Sequence, residues 1–173
     1  MNRKPVKMNA KDIIDKLNLA EHPEGGYYKE THRSKGKIKG INLPNEFNGD
    51  RNYSTCIYFL LTSDRFSSFH KINQDETWHF YKGSTLKLHM ISPEGIYSFV
   101  YIGNDLFNEE HPQFTVPAQY WFAAEVIDSN SFAFTGCTVA PGFDFDDFVL
   151  PNRKDLLMLF PQHYEVITRL THQ

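Results

Sequence analysis

The stretch SFHKINQDETWHFYKG, residues 68–83, joins two short runs of strand-forming residues through a polar turn. In the second run Glu76, Trp78 and Phe80 occupy every second position, so their side chains fall on one face of a strand. Burying a carboxylate beside two aromatic rings is costly unless the charge is paired, so Glu76 is expected either to face a cavity with a partner or to form a structural ion pair. His79 falls on the opposite face and is expected to point outward or into a subunit contact.

Similar short runs recur along the chain, separated by turn residues at intervals of roughly 8–12 residues. The predicted strands are 27–33, 53–61, 67–72, 77–81, 85–91, 96–102, 113–116, 119–127, 131–139 and 143–150. This spacing is typical of a β-sandwich or a barrel. Alternation places His89 with Lys87 on an outward face, and the aspartates of residues 143–148 predict an acidic edge strand.

Helices are predicted at both ends of this strand region. Residues 9–19 begin with a capping Asn and carry apolar residues at helical spacing. Residues 153–160 and 163–170 predict two further short helices, separated by Pro161. The polar segment 34–51 is long for a loop, which favours a lid, an interface arm or local disorder.

Composition excludes several classes of protein. Charged residues make up 23% and aromatic residues 15% of the 173 residues, so intrinsic disorder is not expected. A formal net charge of -3 argues against a nucleic-acid partner, and no apolar run predicts a membrane partner. Cys56 and Cys137 stand apart in strand-like stretches and are expected to be reduced packing residues. With no targeting segment recognised near residue 1, a cytoplasmic location is expected.

The opening stretch resembles the first sequence motif of the cupin superfamily. In that motif two histidines and a glutamate project from neighbouring strands into a barrel, and a glycine closes the motif. His70 matches the first histidine, Glu76 the glutamate and Gly83 the glycine, while Ile72 stands at the second histidine position. The resemblance implies an all-β fold, the cupin double-stranded β-helix or jelly-roll barrel, with the N-terminal helix and the short C-terminal helices packed outside it.

The second cupin motif is echoed at residues 117–122, where Gln119 replaces a glycine and Phe122 replaces the metal-binding histidine. A first-row divalent ion needs three or four N, O or S ligands that converge in one cavity. Only His70 and Glu76 remain at the matched positions. No cofactor and no tightly held metal is therefore expected, and a weakly bound divalent metal on these two residues is the alternative.

Longer blocks of the chain are similar to a small cupin subfamily of unknown function that is described as sugar-epimerase-like. The blocks are residues 19–34, 54–61, 75–83 and 137–147, and they occur in the order found in the subfamily. The resemblance covers nearly the whole chain and implies a single cupin domain over residues 1–173, with the jelly roll at about 27–150. It also implies a homodimer, with strand 27–33 or segment 34–51 at the contact.

His70 matches the position that supplies the general base in dTDP-sugar 3,5-epimerase-like cupins, which need no metal. Removing a proton beside a sugar carbonyl needs a base with a pKa near neutrality and an acid that returns the proton from the other side. An imidazole, with an ordinary pKa of about 6.5, suits the first role. The acid is left open among Tyr58, Tyr120, Asp144, Asp146 and Asp147, while Glu76 is a candidate to orient the imidazole or balance its charge. The alternative for His70 is a packing or ligand-contact role.

An aromatic cavity is expected to hold a small-molecule ligand. Its predicted lining is Trp78, Phe80, Tyr120 and Phe122, together with Glu76 paired to His70 or Arg33. The planar guanidinium of Arg33 suits a carboxylate or a phosphate, or a salt bridge to Glu76. Two functions compete: a metal-independent sugar epimerase or isomerase with His70 as base, and a module that binds a small molecule without turnover. The same aromatic residues are compatible with either function, and also with a role in core packing alone.

Overall fold

The structure, a computed structural model, describes residues 8–172 of the chain. Its elements in chain order are α1 (Ala10–Leu17), β1 (Ala20–Glu21), β2 (Tyr27–Arg33), β3 (Lys37–Ile38), β4 (Arg51–Asn52), β5 (Thr55–Thr62), β6 (Phe66–His70), β7 (Asp75–Gly83), β8 (Leu86–Ile91), β9 (Tyr97–Ile102), β10 (Glu110–His111), β11 (Gln113–Val116), β12 (Trp121–Val126), β13 (Phe132–Ala140), α2 (Arg153–Leu159) and α3 (Tyr164–Arg169). Residues 1–7 and 173, which the predicted domain includes, lie outside the described residues.

Two facing sheets build the body of the protein. The larger has the strand order β1-β2-β5-β13-β7-β11, and the smaller has the order β10-β9-β8-β12-β6. Phe59 and Trp78 from the first sheet share one buried core with Leu88 and Phe122 from the second. Two sheets that close over a common core form the jelly roll, and this confirms the all-β fold expected from the sequence.

Helix α1 begins at a reciprocal cap. The side chain of Asn9 accepts a hydrogen bond from the backbone N–H of Asp12, and the Asp12 carboxylate accepts one from the N–H of Asn9, each at 3.0 Å. This capping box satisfies two N–H groups of the first turn. The buried Ile13 packs with Leu60 on the outer face of the larger sheet, which confirms the predicted N-terminal helix.

Helices α2 and α3 cover the outer face of the smaller sheet. Leu156 of α2 and Ile167 of α3 pack against Phe69 and Ile91, all fully buried. A short 3-10 turn at Pro161–His163 separates the two helices, as the proline predicts. In the described part of the chain, no helix is long and apolar enough to cross a membrane.

The polar segment 34–51 is ordered by local contacts. Strands β3 and β4 pair as a small hairpin around a 3-10 turn at Gly40–Asn42. The Asp50 carboxylate accepts a hydrogen bond from the N–H of Gly40 at 3.0 Å and pairs with Lys39 at 2.8 Å. Local disorder is therefore wrong for this segment, while its role in a homodimer contact stays a prediction.

The predicted strand at 143–150 is wrong. The chain forms a 3-10 turn at Phe145–Asp147, and the side chain of Asp144 accepts a hydrogen bond from the N–H of Asp146 at 3.1 Å. Asp147 turns inward and is buried. These aspartates therefore cap and anchor a turn, and they do not form a charged sheet edge.

The prediction that His89 points outward is also wrong, because the C-terminal helices cover that face of the sheet. The ring is fully buried, with Nδ1 2.7 Å from the Tyr97 hydroxyl and Nε2 3.0 Å from Oε1 of Glu125. Glu125 also pairs with Arg169 of α3. This network ties the last helix to the sheet, away from the cavity described below.

Candidate functional site

A cavity of about 330 Å³ opens on the inner face of the larger sheet. Strands β2, β5, β7 and β13 supply one side of the lining, and residues 143–148 supply part of the other. Two histidines and two glutamates that carry the argument below share this lining with several aromatic rings: His22, Glu24, His70 and Glu76. A volume of a few hundred Å³ with a few polar groups in an apolar wall is typical of a small-molecule site.

The loop between β1 and β2 brings two of these groups to the cavity. A tight turn is closed by bonds from the N–H of Gly25 to the His22 carbonyl at 3.0 Å and from the N–H of His22 to the Gly26 carbonyl at 3.1 Å. Gly25 has a φ of 116°, and a Cβ there would lie 2.1 Å from the carbonyl oxygen of Phe66. Only glycine allows the loop to approach β6 this closely, and Glu24 is thereby directed inward.

The carboxylate of Glu24 lies between two imidazole rings. Its Oε2 is 3.1 Å from Nε2 of His70 and 3.3 Å from Nδ1 of His22, and its Oε1 accepts a hydrogen bond from the Ser67 hydroxyl at 2.7 Å. Burial raises the pKa of Glu24, but the two histidines and the Ser67 hydroxyl lower it by more than burial raises it. The pKa of Glu24 therefore lies below its ordinary value. Glu24 is therefore an ionised carboxylate buried in the cavity wall.

His70 lies at the end of β6 with both ring nitrogens facing protein acceptors. Nδ1 is 2.7 Å from the carbonyl oxygen of Ser68, and Nε2 faces Glu24. The ring centroids of His70 and Phe122 are 4.1 Å apart. Burial lowers the pKa of His70 in spite of the nearby carboxylate. Both contacts are hydrogen bonds only when the ring carries a proton on each nitrogen. Its role as a base stays a prediction.

His22 was not singled out from the sequence, yet it lines the same cavity. Its Nδ1 lies 3.3 Å from Oε2 of Glu24 and is also approached by the backbone N–H of Glu24 as a donor at 3.4 Å. No side chain or backbone group among residues 8–172 forms a hydrogen bond to its Nε2. Burial lowers the pKa of His22, but the Glu24 carboxylate raises it by more than burial lowers it. The pKa of His22 therefore lies above its ordinary value. The signal in the sequence was a histidine and a glutamate beside a Gly-Gly turn.

Glu76 lies on β7 and faces the cavity, as its alternation with Trp78 predicted. Burial raises the pKa of Glu76 to about 7, with a further contribution from Glu24, while the Cys137 thiol and His22 oppose the rise. At neutral pH this carboxyl can therefore either donate or accept a proton. The indole N–H of Trp78 has no hydrogen-bond acceptor among the described residues although the side chain is buried.

Arg33 lines the cavity. The sequence suggested a salt bridge between Arg33 and Glu76, but Arg33 pairs with Glu30 instead. Its Nη2 donates to Oε2 of Glu30 at 2.7 Å, and its Nη1 donates to Asn52 at 3.1 Å and to the carbonyl oxygen of Phe143 at 3.0 Å. About a third of the side chain is exposed. Arg33 thus joins β2 to the start of segment 143–148 at the more exposed side of the cavity.

Segment 143–148, which we call the aromatic flap, contributes three phenylalanine rings to the lining: Phe143, Phe145 and Phe148. The Phe145 ring stacks on His22 with a centroid distance of 6.2 Å and an interplanar angle of 22°. Its neighbour Phe148 contacts both His22 and His70, with ring centroids 5.9 and 5.4 Å away. The flap therefore contacts both histidines of the cavity.

Several predicted site residues lie elsewhere. Phe122 is buried beneath His70 in the core, and Tyr120 and Phe80 pack against that core, so none of the three lines the cavity. Phe122 pairs with His70 across β12 and β6 of the smaller sheet, and its ring packs against the His70 ring. Tyr58 faces the outer side of β5, near α1. None of the acids left open for His70 belongs to the cavity lining, whereas Glu76, expected only to orient or balance the imidazole, does.

The residues present do not fit the metal site that cupin motifs describe. Ile72 and Phe122 occupy two ligand positions and carry no donor atom. Nε2 of His70 already faces Glu24. Within residues 8–172, no group of three or more His, Cys, Asp or Glu side chains is arranged to hold a metal ion.

The jelly roll, with titratable and aromatic side chains in a cavity inside it, defines a cupin. The model of the family described as Cupin superfamily (DUF985) matches residues 11–151, and the chain belongs to this family.

Similar proteins are known from distant organisms. The chain is 32% identical over 154 residues to the uncharacterized protein YML079W of Saccharomyces cerevisiae, covering 84% of this chain and 76% of the yeast protein. Among solved structures it is similar to protein SO0799 from Shewanella oneidensis, with a TM-score of 0.85, 39% identity and coverage of 95% of this chain and 98% of that one. A hypothetical protein from Leishmania major gives a TM-score of 0.88, 34% identity and coverage of 96% and 100%.

A more distant likeness reaches a characterised enzyme. Oxalate decarboxylase from Bacillus subtilis gives a TM-score of 0.52 at 14% identity, over 87% of this chain and 36% of that chain. This likeness shows the shared fold alone.

Proposed function

We propose that this protein binds a small carbohydrate-like molecule in the cavity and moves a proton on it without a metal, as a sugar epimerase or isomerase. The observation that carries the proposal is the ionised carboxylate of Glu24, buried between His22 and His70 in the cavity wall. Carboxylate–imidazole pairs of this kind are the usual means by which enzymes hold a base in one orientation.

The proposed reaction is proton transfer at a carbon beside a carbonyl group. A base in the histidine–glutamate cluster takes the proton, and the electrons of the C–H bond move to the carbonyl oxygen, which becomes an enolate. The proton is then returned to the opposite face of the carbon, and the carbonyl is restored. Both steps need groups whose pKa lies near the working pH.

Glu76 is the acid that the cavity favours for returning the proton. Its pKa of about 7 keeps a large protonated fraction at neutral pH. The neighbouring indole N–H of Trp78 has no acceptor among the described residues, so it is available to a ligand oxygen. A buried donor that meets its acceptor only in the complex contributes to the binding of that ligand or of the enolate.

Binding without turnover is the second candidate function. It is favoured by His70, whose two ring nitrogens both face protein acceptors and so leave no nitrogen for a substrate proton in this arrangement. The aromatic walls serve either function equally.

A deuterium-exchange experiment tests the proposal. Protein dialysed against EDTA is incubated in D2O with fructose, fructose 6-phosphate and a dTDP-4-keto-sugar, and each sugar is followed by proton NMR. We expect loss of the proton signal at a carbon beside the carbonyl of at least one sugar. Exchange that vanishes after EDTA and returns with a divalent metal would refute metal independence. Tight binding of a sugar with no exchange would select the binding module.

A further inference from the structure

We infer that His22, rather than His70, is the catalytic residue that exchanges a proton with the substrate, and that Glu24 is its positioning residue. This inference rests on the proposed function and names the base within the histidine–glutamate cluster. Neither cupin motif contains His22, which lies in the loop before β2.

The first support is the different engagement of the two rings. His70 has Nδ1 2.7 Å from the Ser68 carbonyl oxygen and Nε2 3.1 Å from Glu24, so its two N–H positions are both directed at protein oxygens. His22 contacts Glu24 at Nδ1 alone, and its Nε2 has no hydrogen-bond partner among residues 8–172. At Nδ1 the carboxylate oxygen at 3.3 Å competes with the backbone N–H of Glu24, which points at the same nitrogen at 3.4 Å, and the nearer, charged oxygen favours a proton on Nδ1. A base must have a nitrogen within reach of the substrate proton, and only His22 has one in this arrangement.

The second support is the way the His22 ring is oriented. Its edge contacts Tyr28 at a centroid distance of 4.6 Å with perpendicular planes, and its face stacks on Phe145 of the aromatic flap. These contacts and the Glu24 carboxylate restrict the ring from three sides. A restricted ring keeps its free nitrogen in one direction, which is the condition for efficient proton transfer.

Charge balance gives the third support. When Nε2 of His22 accepts the substrate proton, the ring becomes an imidazolium whose positive charge faces the ionised carboxylate of Glu24. Glu76 donates its proton to the opposite face of the substrate carbon and becomes a carboxylate, and a proton passing from His22 to Glu76 through solvent restores both groups. The titratable groups that face His22 are Glu24, Glu76, His70 and Tyr28.

The role of His70 follows from the same geometry. When the ring carries a proton on both nitrogens, Nδ1–H donates to the Ser68 carbonyl and Nε2–H donates to Oε2 of Glu24, which holds the carboxylate in place for His22. Ser67 fixes the other carboxylate oxygen at 2.7 Å. His70 is thus a second positioning residue, one step removed from the substrate.

Nitrogen-15 NMR of the histidine rings tests the inference without any substrate. In the neutral form of His22 we expect the proton on Nδ1 and a bare Nε2, and we expect its pKa to fall in Glu24→Gln. A proton on Nε2 in the neutral form, or a pKa that is the same in Glu24→Gln, would overturn the inference.

The matched variants His22→Asn and His70→Asn are then compared in the deuterium-exchange experiment, with the melting temperature as a check that each is folded. We expect His22→Asn to exchange the proton at least about 100-fold more slowly than the unmodified protein, which is the usual contribution of a general base. The exchange rate of His70→Asn should fall by clearly less. The reverse order would assign the base to His70 and overturn the inference. No exchange in the unmodified protein, with the expected NMR result, would reject the proposed reaction while leaving the ring assignment intact.

Discussion

Arg51 and Asp147 form a two-pronged ion pair inside the protein, although 96 positions separate them in the sequence. Nε of Arg51 donates to Oδ2 at 2.7 Å and Nη2 donates to Oδ1 at 2.6 Å, and both side chains are almost fully buried. Gln74 and Asn73 donate two further hydrogen bonds to the same carboxylate, at 2.7 and 3.1 Å. Because Asp147 belongs to the aromatic flap, this pair anchors the flap against the cavity.

Asp147→Asn should destabilise the protein by about 3–5 kcal/mol, because it leaves the Arg51 charge buried without a counter-charge. Urea denaturation at neutral pH measures the change. Asp146→Asn is the matched control, since Asp146 is exposed in the same turn, and it should change stability by less than about 0.5 kcal/mol. Equal effects of the two substitutions would contradict the anchoring role. The double variant Arg51→Met with Asp147→Leu should recover much of the loss, because it removes both buried charges.

Glu76→Gln should make the protein more stable at high pH and leave the stability almost unchanged at low pH. The carboxyl has a pKa of about 7 in the folded protein and 4.5 as its ordinary value, so folding binds a proton between these values. Its contribution is favourable at low pH and is lost as the pH rises through 7. The difference corresponds to about 3 kcal/mol between the two limits.

Urea denaturation of both proteins at about pH 4, 6 and 8 measures this dependence. Glu46→Gln is the control, because Glu46 is exposed and its substitution should show no trend with pH. A stability difference for Glu76→Gln that is the same at all three pH values would contradict the raised pKa.

Trp78→Phe should weaken ligand binding in addition to the stability lost by truncating this buried side chain. The indole N–H has no acceptor among the described residues, so its removal breaks no hydrogen bond in the free protein. A hydrogen bond from this N–H to a ligand oxygen is worth about 1 kcal/mol, which is about a fivefold loss in affinity. Calorimetric titration with the small molecule recovered from the purified protein measures the loss. Trp121→Phe, in the separate cluster under the C-terminal helices, should leave affinity unchanged, and an equal loss in both variants would contradict the assignment.

Glu125→Gln should loosen helix α3 without affecting the cavity. Hydrogen bonds from His89 and Arg169 lower the pKa of Glu125 to about 2 in spite of partial burial. The carboxylate therefore stabilises the protein above its ordinary pKa of 4.5, and this stability is lost as the pH falls towards 2. Denaturation at about pH 7 should show a loss of about 1–2 kcal/mol, smaller at about pH 3. Loss of ligand binding in this variant would contradict the prediction that the Glu125 network has no effect on the cavity.

Alternation along the strands was enough to predict part of the site. The pattern around Glu76 and Trp78 placed both side chains on the inward face of β7, because side-chain direction in a strand depends only on local geometry. The same rule failed for His89, since its outer face is covered by a helix about eighty residues further along the chain. Burial of an outer face is a tertiary property that no local pattern contains.

The histidine–glutamate cluster was only half visible in the sequence for a similar reason. His70 stood out because it lies in a recognisable motif, whereas Glu24 and His22 lie in a short loop and reach His70 only when β2 and β6 are folded together. The sequence of segment 143–148 predicted a strand that is not there. Its phenylalanines and aspartates alternate as in a strand, but the ion pair with Arg51 directs Asp147 inward. Contacts between distant segments decided both outcomes.

The packing around His70 sets a rule for protein engineering. Phe122→His and Ile72→His together would restore the two missing metal-ligand positions of the cupin motifs, but Nε2 of His70 would still lie 3.1 Å from Oε2 of Glu24. A metal-binding design on this barrel must therefore begin with the loop that carries Glu24, a part of the chain that neither motif includes. Conversely, grafting that loop beside the first motif histidine of another barrel is a route to a metal-free carboxylate–imidazole site.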